Sequence, residues 1–326
     1  MRPKLTIAIP TYNRAEKLIQ CLQRVITYSQ NKSIEIIISD NASSDNTQEY
    51  MKYVKMTYSN IKYFRNDKNL GFDGNFLNCF EKASGEYVWL LSDDDFILPN
   101  AIESILYILA KNPICIHLNS STLKSTDPIR FGMSRFEEKG YLEYSDKNAF
   151  LKKIDIYCTF ISSLIYKLDY VKSIESKKKY FNTNFLQSHI LLEIMKYDGI
   201  YIVNTQNCIA ARSNYTVEYD VLKTWIKNYS DLLLHTAPKC GFDPEIMSDI
   251  LKKDLSASIY EFVLHYRRTC PSESSWDRDC IWIYINKYPS LIGKYRFAIN
   301  CPICWLPILS LIYRIKKGIN RTISKK

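Results

Sequence analysis

Over the first 120 positions, short unbroken apolar runs alternate with runs whose apolar residues recur three and four apart, the pattern of strands alternating with helices. LTIAIP (5–10) is an apolar strand, and IEIIISD (34–40) has the Ile-rich look of a strand buried on both faces. Between them Leu18, Cys21, Leu22, Val25 and Ile26 line one helical face. IKYFRN (61–66) reads as a third strand, the segment around Phe76, Leu77 and Phe80 as a helix, and EYVWLLS (86–92) as a fourth strand. PNAIESILYILAKN (99–112) is a helix with Pro in its first turn, followed by a strand, ICIHLN (114–119).

From 120 to 145 the pattern lapses into a polar loop with Pro128, Gly132 and Gly140. ISSLIYKL (161–168) then predicts a strand, NFLQSHILLEIMKY (184–197) a helix and GIYIVN (199–204) a strand. Beyond about 216 the signal is helical, and 243–268 is the longest candidate helix.

Polar residues gather just after the strands: TYNR after the first, DNASSDNT after the second, and SDDD (92–95) after the fourth. In an open α/β sheet the ligand crevice lies outside the carboxyl ends of the strands, so three distant segments are expected to converge on one site. The three carboxylates of SDDD repel one another at the end of a buried strand unless a cation or a hydrogen-bond network neutralises them. Oxygen ligands of this kind suit Mg²⁺ or Mn²⁺, whose shell substrate phosphates commonly complete. A solvated acidic turn capping the next helix is the plainer reading of the triplet alone.

The 326 residues are 46% apolar and 24% charged, an ordinary globular composition that excludes a disordered chain. Ten cysteines without a regular spacing read as reduced thiols of a cytosolic protein, and the pair Cys301 and Cys304 as core packing, since a zinc site needs two more ligands. The opening MRPKLTIAIP is too short an apolar run for a signal peptide. Net charge is +10, and nine Lys and Arg with no acid lie between Cys280 and Lys326, so the positive field belongs to the tail.

LTIAIPTYNRAEKL (5–18), IEIIISDNASSDNT (34–47), NLGFDGN (69–75) and GEYVWLLSDDD (85–95) together resemble, in order and spacing, the family 2 glycosyltransferases of the GT-A fold, and among them the transferases of bacterial O-antigen and capsular polysaccharide synthesis, abequosyltransferase-like members included. The resemblance implies an α/β chain with a Rossmann-like, mostly parallel sheet covered by helices on both faces and a mainly helical C-terminal extension. It implies a nucleotide-sugar-binding half (1–120), an acceptor-binding half (121–215) and the extension (216–326). The activity implied is metal-assisted, inverting transfer of a sugar from a nucleotide-diphosphate donor to a glycan acceptor, expected to be lipid-linked.

By the same resemblance Pro10, Thr11 and Tyr12 pack on the donor's nucleobase and Arg14 meets its diphosphate, although Asn13 could equally make TYNR a helix-capping turn. Asp40 and Asn41 fall where many relatives carry two carboxylates, one reading the base edge; Asn at the second place leaves the base open among uracil, cytosine and thymine. Gly71, Asn75 and Asp93 are carried over to the nucleotide-sugar site, while Asp45 reads as a structural cap. Asp94 falls on the metal position with Asp95 beside it, and Ser92 replaces the first Asp of a D-x-D, so the metal would have few protein ligands.

Where many relatives carry a catalytic carboxylate, this chain has Leu186-Gln187-Ser188-His189. His189 is then either the general base or a core histidine on an apolar helical face, with Glu193 as an alternative base. The run FAINCPICWLPILSLIY (297–313), followed by RIKKGINR, is short and Pro-interrupted for a spanning helix. It suits an interfacial segment on an anionic membrane, with a packed C-terminal helix as the alternative, which would place the protein peripherally on the inner face of the cytoplasmic membrane. A nucleotidyltransferase would show a Gly-rich loop near the N-terminus, absent here, and a nucleic-acid binder a wide aromatic and cationic groove; no nucleic-acid partner is expected.

Overall fold

The computed structural model describes residues 2–30, 33–126, 129–137, 140–212, 219–270 and 273–323. The chain forms two compact units, one made of Met1–Ser213 with Cys240–Phe242 and the other of Asn214–Lys239 with Asp243–Lys326. The expected boundary at 215/216, Pro128, Lys325 and Lys326 lie outside the described residues, as do the side chains of Arg314, Lys316, Lys317 and Arg321.

In the first unit the elements run β1 (Leu5–Thr11), α1 (Ala15–Ser29), β2 (Ile34–Asp40), α2 (Thr47–Thr57), β3 (Ile61–Arg65), α3 (Gly71–Lys82), β4 (Tyr87–Leu90), β5 (Phe96–Ile97), α4 (Ala101–Leu109) and β6 (Cys115–Thr126). They continue as β7 (Ile129–Ser134), β8 (Tyr141–Tyr144), α5 (Lys147–Ile154), β9 (Leu164–Lys167), α6 (Leu168–Ser173), α7 (Leu186–Ile194) and β10 (Tyr201–Arg212). One sheet takes the order β3-β2-β1-β4-β9-β6-β10-β5, with β7 beside β6 and β8 beside β10. Strands β3, β2, β1 and β4 are mutually parallel, as are β6 and β10, and β9 runs antiparallel between the two groups.

Leu18, Cys21, Leu22 and Val25 of α1 are fully buried in one core with Ile7, Ile36 and Trp89 of the sheet. Each large apolar side chain so buried stabilises the fold by about 1.5–3 kcal/mol. The parallel register places Thr11 opposite Asp40 and Ala8 opposite Leu90, so the loops after β1, β2 and β4 leave the same edge.

Two expectations are corrected here, and one helix was not read from the sequence. The polar stretch after 119 is not a loop: β6 runs on to Thr126 and pairs with β7, and β8 pairs with β10. From Ser121 on the residues alternate as a strand should, Ser121 and Leu123 buried and Thr122 and Lys124 exposed, but of the buried ones only Leu123 is large and apolar. Helix α2, buried only through Thr47, Met51 and Val54, carries too thin a stripe to be read from the sequence.

The second correction lies in the second unit, where the long helix expected over 243–268 breaks at Ala257 into Pro244–Ser256 and Ser258–Thr269. The freed carbonyls find distant partners: Tyr295 donates its hydroxyl to Leu255 O at 2.7 Å and Lys294 its ammonium to Ser256 O at 2.7 Å. The apolar tail forms the helix Pro289–Asn300, a turn at Ile303–Trp305 and the helix Leu306–Ile323. Among the described residues no single helix is long and apolar enough to cross a membrane, and the pair flanking the turn bends by 119°. None of the ten cysteines is in a disulfide; Cys301 is buried as expected of packing, but Cys304 is exposed.

Candidate active site

The turn after β1 and the acidic segment after β4 are joined side chain to side chain. Thr11 donates its hydroxyl to Asp93 Oδ2 at 2.7 Å, and Arg14 Nη1 lies 3.2 Å from Asp93 Oδ1 and 3.4 Å from Asp94 Oδ2. Lys17, one helical turn on from Arg14, brings its ammonium to 3.9 Å from the same Asp94 oxygen. All three carboxylates are at most 3% exposed, whereas Arg14 and Lys17 remain about a third exposed, so the solvent side of the cluster is cationic.

The three acids differ in what they hold. Asp93 is fastened to the first turn; burial pushes its carboxyl up to about 6 against the pull of Arg14. Asp95 accepts from Ser162 Oγ at 2.6 Å and from the backbone N–H of Arg212 at 2.9 Å, tying the β4 loop to β10. Burial, reinforced by the Asp94 charge, raises the Asp95 carboxyl well above its ordinary range. Asp94 accepts from Ser92 Oγ at 2.7 Å, and its other oxygen meets the two exposed cations.

Asp95, expected beside Asp94 as a metal ligand, has both of its oxygens hydrogen-bonded within the protein. Among the described residues no group of three His, Cys, Asp or Glu could hold a metal ion. A hard divalent ion at Asp94 fits the chemistry of this oxygen donor set only if phosphate oxygens and water supply the rest of its shell.

The second strand contributes structure more than open chemistry. Asp40 is fully buried, accepting from Tyr63 OH at 2.5 Å and Ser43 N at 2.9 Å, with Arg65 Nε at 3.6 Å. Asn41 donates Nδ2 to Asn69 Oδ1 (2.7 Å) and Gly71 O (3.2 Å), while its Oδ1 accepts from Asn66 Nδ2 (3.0 Å) and Leu70 N (2.9 Å). Both donors and both acceptor sites of the amide are filled within the protein. Asn75 is likewise buried, bonded to Ser39 through both ends of its amide. Gly71 opens α3 at φ 72°, a left-handed conformation suited to glycine, and its carbonyl takes one of the Asn41 bonds.

Around the first turn, Pro10 and Thr11 are buried, and Tyr12 is 42% exposed. Asn13 does not cap α1. Its Oδ1 accepts from Ser44 N at 2.7 Å, and the N-terminus of α1 is capped from a distance by Asp45, whose Oδ2 accepts from Ala15 N at 2.9 Å. Burial alone would raise the Asp45 carboxyl, but hydrogen bonds from Thr47 and Ala15 outweigh it and hold it below its ordinary value.

His189 lies buried in α7 with its ring stacked on Tyr180, centroids 4.2 Å apart and planes within 9°. Tyr180 donates its hydroxyl to Glu193, which also takes Lys179 at 3.0 Å and Lys196 at 2.6 Å. It is Gln187 and Ser188, bonded to Thr159 O and Cys158 O, that meet the segment leading to Ser162 under the acidic triplet. The start of α7 is held from α3, where Asp73 accepts from the backbone of Thr183, Asn184 and Leu186 at 3.0–3.2 Å. Sequence reading missed Lys17, Arg65, Ser162 and Arg212; only Lys17, three residues after Arg14 on the same helical face, left a signal in the pattern.

Residues 6–169 match the model of glycosyl transferase family 2. The chain is 29% identical over 207 residues to abequosyltransferase RfbV of Salmonella typhimurium, covering 60% of this chain and 62% of that protein. It is 26% identical over 322 residues to the GalNAc(5)-diNAcBac-PP-undecaprenol beta-1,3-glucosyltransferase of Campylobacter jejuni, covering 95% and 94% of the two chains. Residues 1–349 of S. aureus TarS, solved in complex with UDP-GlcNAc, superpose with a TM-score of 0.61 over 98% of this chain and 92% of that one, at 13% identity, a likeness of fold.

Proposed function

The chain belongs to glycosyl transferase family 2, and from that premise we propose that it moves a sugar from a nucleotide-diphosphate donor to a lipid-linked glycan acceptor in the synthesis of a cell-surface polysaccharide. The observation that carries this reading is the meeting of Arg14 and Lys17 over the buried Asp94 at the carboxyl edge of the parallel strands. Two partly exposed cations on a buried acid form a site for a diphosphate, which Arg14 can meet with charge-assisted hydrogen bonds. Tyr12, exposed beside them, offers the base an aromatic face. Mg²⁺ or Mn²⁺ bound at Asp94 would offset the charge that develops on the departing diphosphate. Asp93 and Asp95 keep Asp94 in place by fixing its loop to the first turn and to β10.

The acceptor class is suggested by the Campylobacter relative, whose name specifies an undecaprenyl-diphosphate-linked substrate and which matches nearly end to end. The tail supports a peripheral position on an anionic membrane: Phe297, Ile303, Trp305, Ile308, Leu311 and Ile312 are exposed, and the stretch from Cys280 onward holds no acid. The test is a panel of nucleotide-diphosphate sugars with and without Mn²⁺, read by thermal protection and by transfer to a polyprenyl-diphosphate-linked glycan. Protection by one donor family and transfer dependent on metal are expected. A panel that gives neither protection nor transfer rejects the reading.

A further inference from the structure

The helix Pro289–Asn300 bears a groove that none of the site residues described above lines. Gly293, Arg296, Phe297 and Asn300 stand at i, i+3, i+4 and i+7 and so share a face, and Pro302 and Trp305 of the following turn complete a cavity of about 460 Å³. That volume falls in the range of roughly 300–1,000 Å³ usual for ligand sites. Gly293 is its most telling residue. Glycine weakens a helix interior relative to alanine, yet a Cβ at this position would meet nothing within 4 Å. Packing does not require glycine here; what its smallness preserves is the open groove.

The turn that closes the groove is firmly held. Buried Arg267 donates Nη1 to Ala298 O at 2.6 Å and Cys301 O at 3.2 Å, and its Nε to Glu273 Oε1 at 2.7 Å. Arg278 adds bonds to Ile299 O at 3.1 Å and Glu273 Oε1 at 2.8 Å. These two arginines satisfy the Ala298 and Ile299 carbonyls in the last turn of the helix and fix the bend from which Ile303 and Trp305 stand exposed.

We propose that this groove seats the isoprenoid chain of the polyprenyl-diphosphate-linked acceptor, with Arg296 pairing with the diphosphate, an inference that rests on the acceptor class proposed above. An apolar channel lined by Phe297, Pro302 and Trp305 suits a single hydrocarbon chain. A cation within the lining, on a segment devoid of acids, complements the anionic head of that lipid.

The test uses the full chain in non-ionic detergent with a benzophenone-bearing geranylgeranyl diphosphate, photo-crosslinked and mapped by peptide mass spectrometry. Label is expected within 289–305, displaced by unlabelled geranylgeranyl diphosphate and not by inorganic pyrophosphate or dioleoylphosphatidylglycerol. Gly293→Leu should fill the groove and weaken binding roughly tenfold or more through lost apolar burial. Arg296→Gln should weaken it several-fold without changing the melting temperature, and it decides the matter if Gly293→Leu does not fold. Label placed elsewhere, equal displacement by phosphatidylglycerol, or undiminished binding by both variants overturns the proposal. Donor protection measured on the same protein separates the two readings: protection without prenyl labelling rejects the groove alone, and loss of both rejects glycosyl transfer as well.

Discussion

Arg14 reaches from the turn after β1 to Asp94 at the end of β4, Nη1 to Oδ2 3.4 Å, across 80 positions of sequence. The same nitrogen lies 3.2 Å from Asp93, so one guanidinium relieves the repulsion between two buried carboxylates while remaining about a third exposed. Arg14→Ala should weaken donor binding by roughly 10–100-fold, the loss of a charge-assisted hydrogen bond of about 1.5–3 kcal/mol. Isothermal titration with the preferred nucleotide sugar measures it, and unchanged affinity removes Arg14 from the diphosphate site.

Neighbouring aspartates should fail in different ways. Asp94→Asn is expected to abolish metal-stimulated transfer with a melting temperature near that of the parent, because the amide oxygen can still accept from Ser92 and the cations it faces are partly exposed. Asp95→Asn should instead cost about 1–3 kcal/mol of stability, since two donors, the buried Ser162 Oγ and the part-buried Arg212 N–H, compete for one acceptor. Denaturant melts beside activity assays separate the two, and an inverted pattern would refute the assignment.

For His189 the stacked geometry predicts a packing role. His189→Phe should keep turnover within a few-fold of the parent, whereas His189→Ala should lower stability by about 2 kcal/mol or more through the cavity left under Tyr180. A fully folded His189→Phe with turnover lost a hundredfold would restore it as the general base.

Asn41→Asp would install the carboxylate that many relatives carry, but in this chain it sets an acceptor against Asn69 Oδ1 and the Gly71 carbonyl. The variant should be less stable by about 1–3 kcal/mol and should gain no affinity for uridine nucleotides. Tighter uridine binding at unchanged stability would show that the side chain faces the base.

Glu193 gives a pH-dependent stability of known sign. Burial opposes its ionisation, but Lys196, Tyr180 and Lys179 together pull it down to about 2. A carboxylate depressed in the folded state stabilises above its unfolded value near 4.3 and loses that contribution as pH falls toward 2. Glu193→Gln should therefore melt earlier at neutral pH, by about 1–3 kcal/mol once screening of the half-exposed lysines is allowed for, and the deficit should shrink below pH 4. A deficit independent of pH would assign the loss to packing instead.

The sequence by itself determined most of the strands and helices of the first 120 residues, α2 and the short β5 excepted, and the gathering of polar loops at one sheet edge, because apolar periodicity is a local property and parallel strands send their carboxyl ends the same way. It also marked SDDD as chemically significant, since three adjacent acids after a buried run need a partner wherever they lie. What it could not determine depends on groups far apart in the chain. Asp95 is a brace and Asp94 open to cations because Arg212, 117 positions away, meets one and not the other. Asn41 and Asn75 are ties because loops from other elements bring donors and acceptors to them, and α1 is capped by Asp45 from the next loop. The continuous helical pattern over 243–268 breaks at Ala257 where Tyr295 and Lys294 accommodate the freed carbonyls. Periodicity records which face of an element is buried; only the folded chain decides what each polar group on it meets.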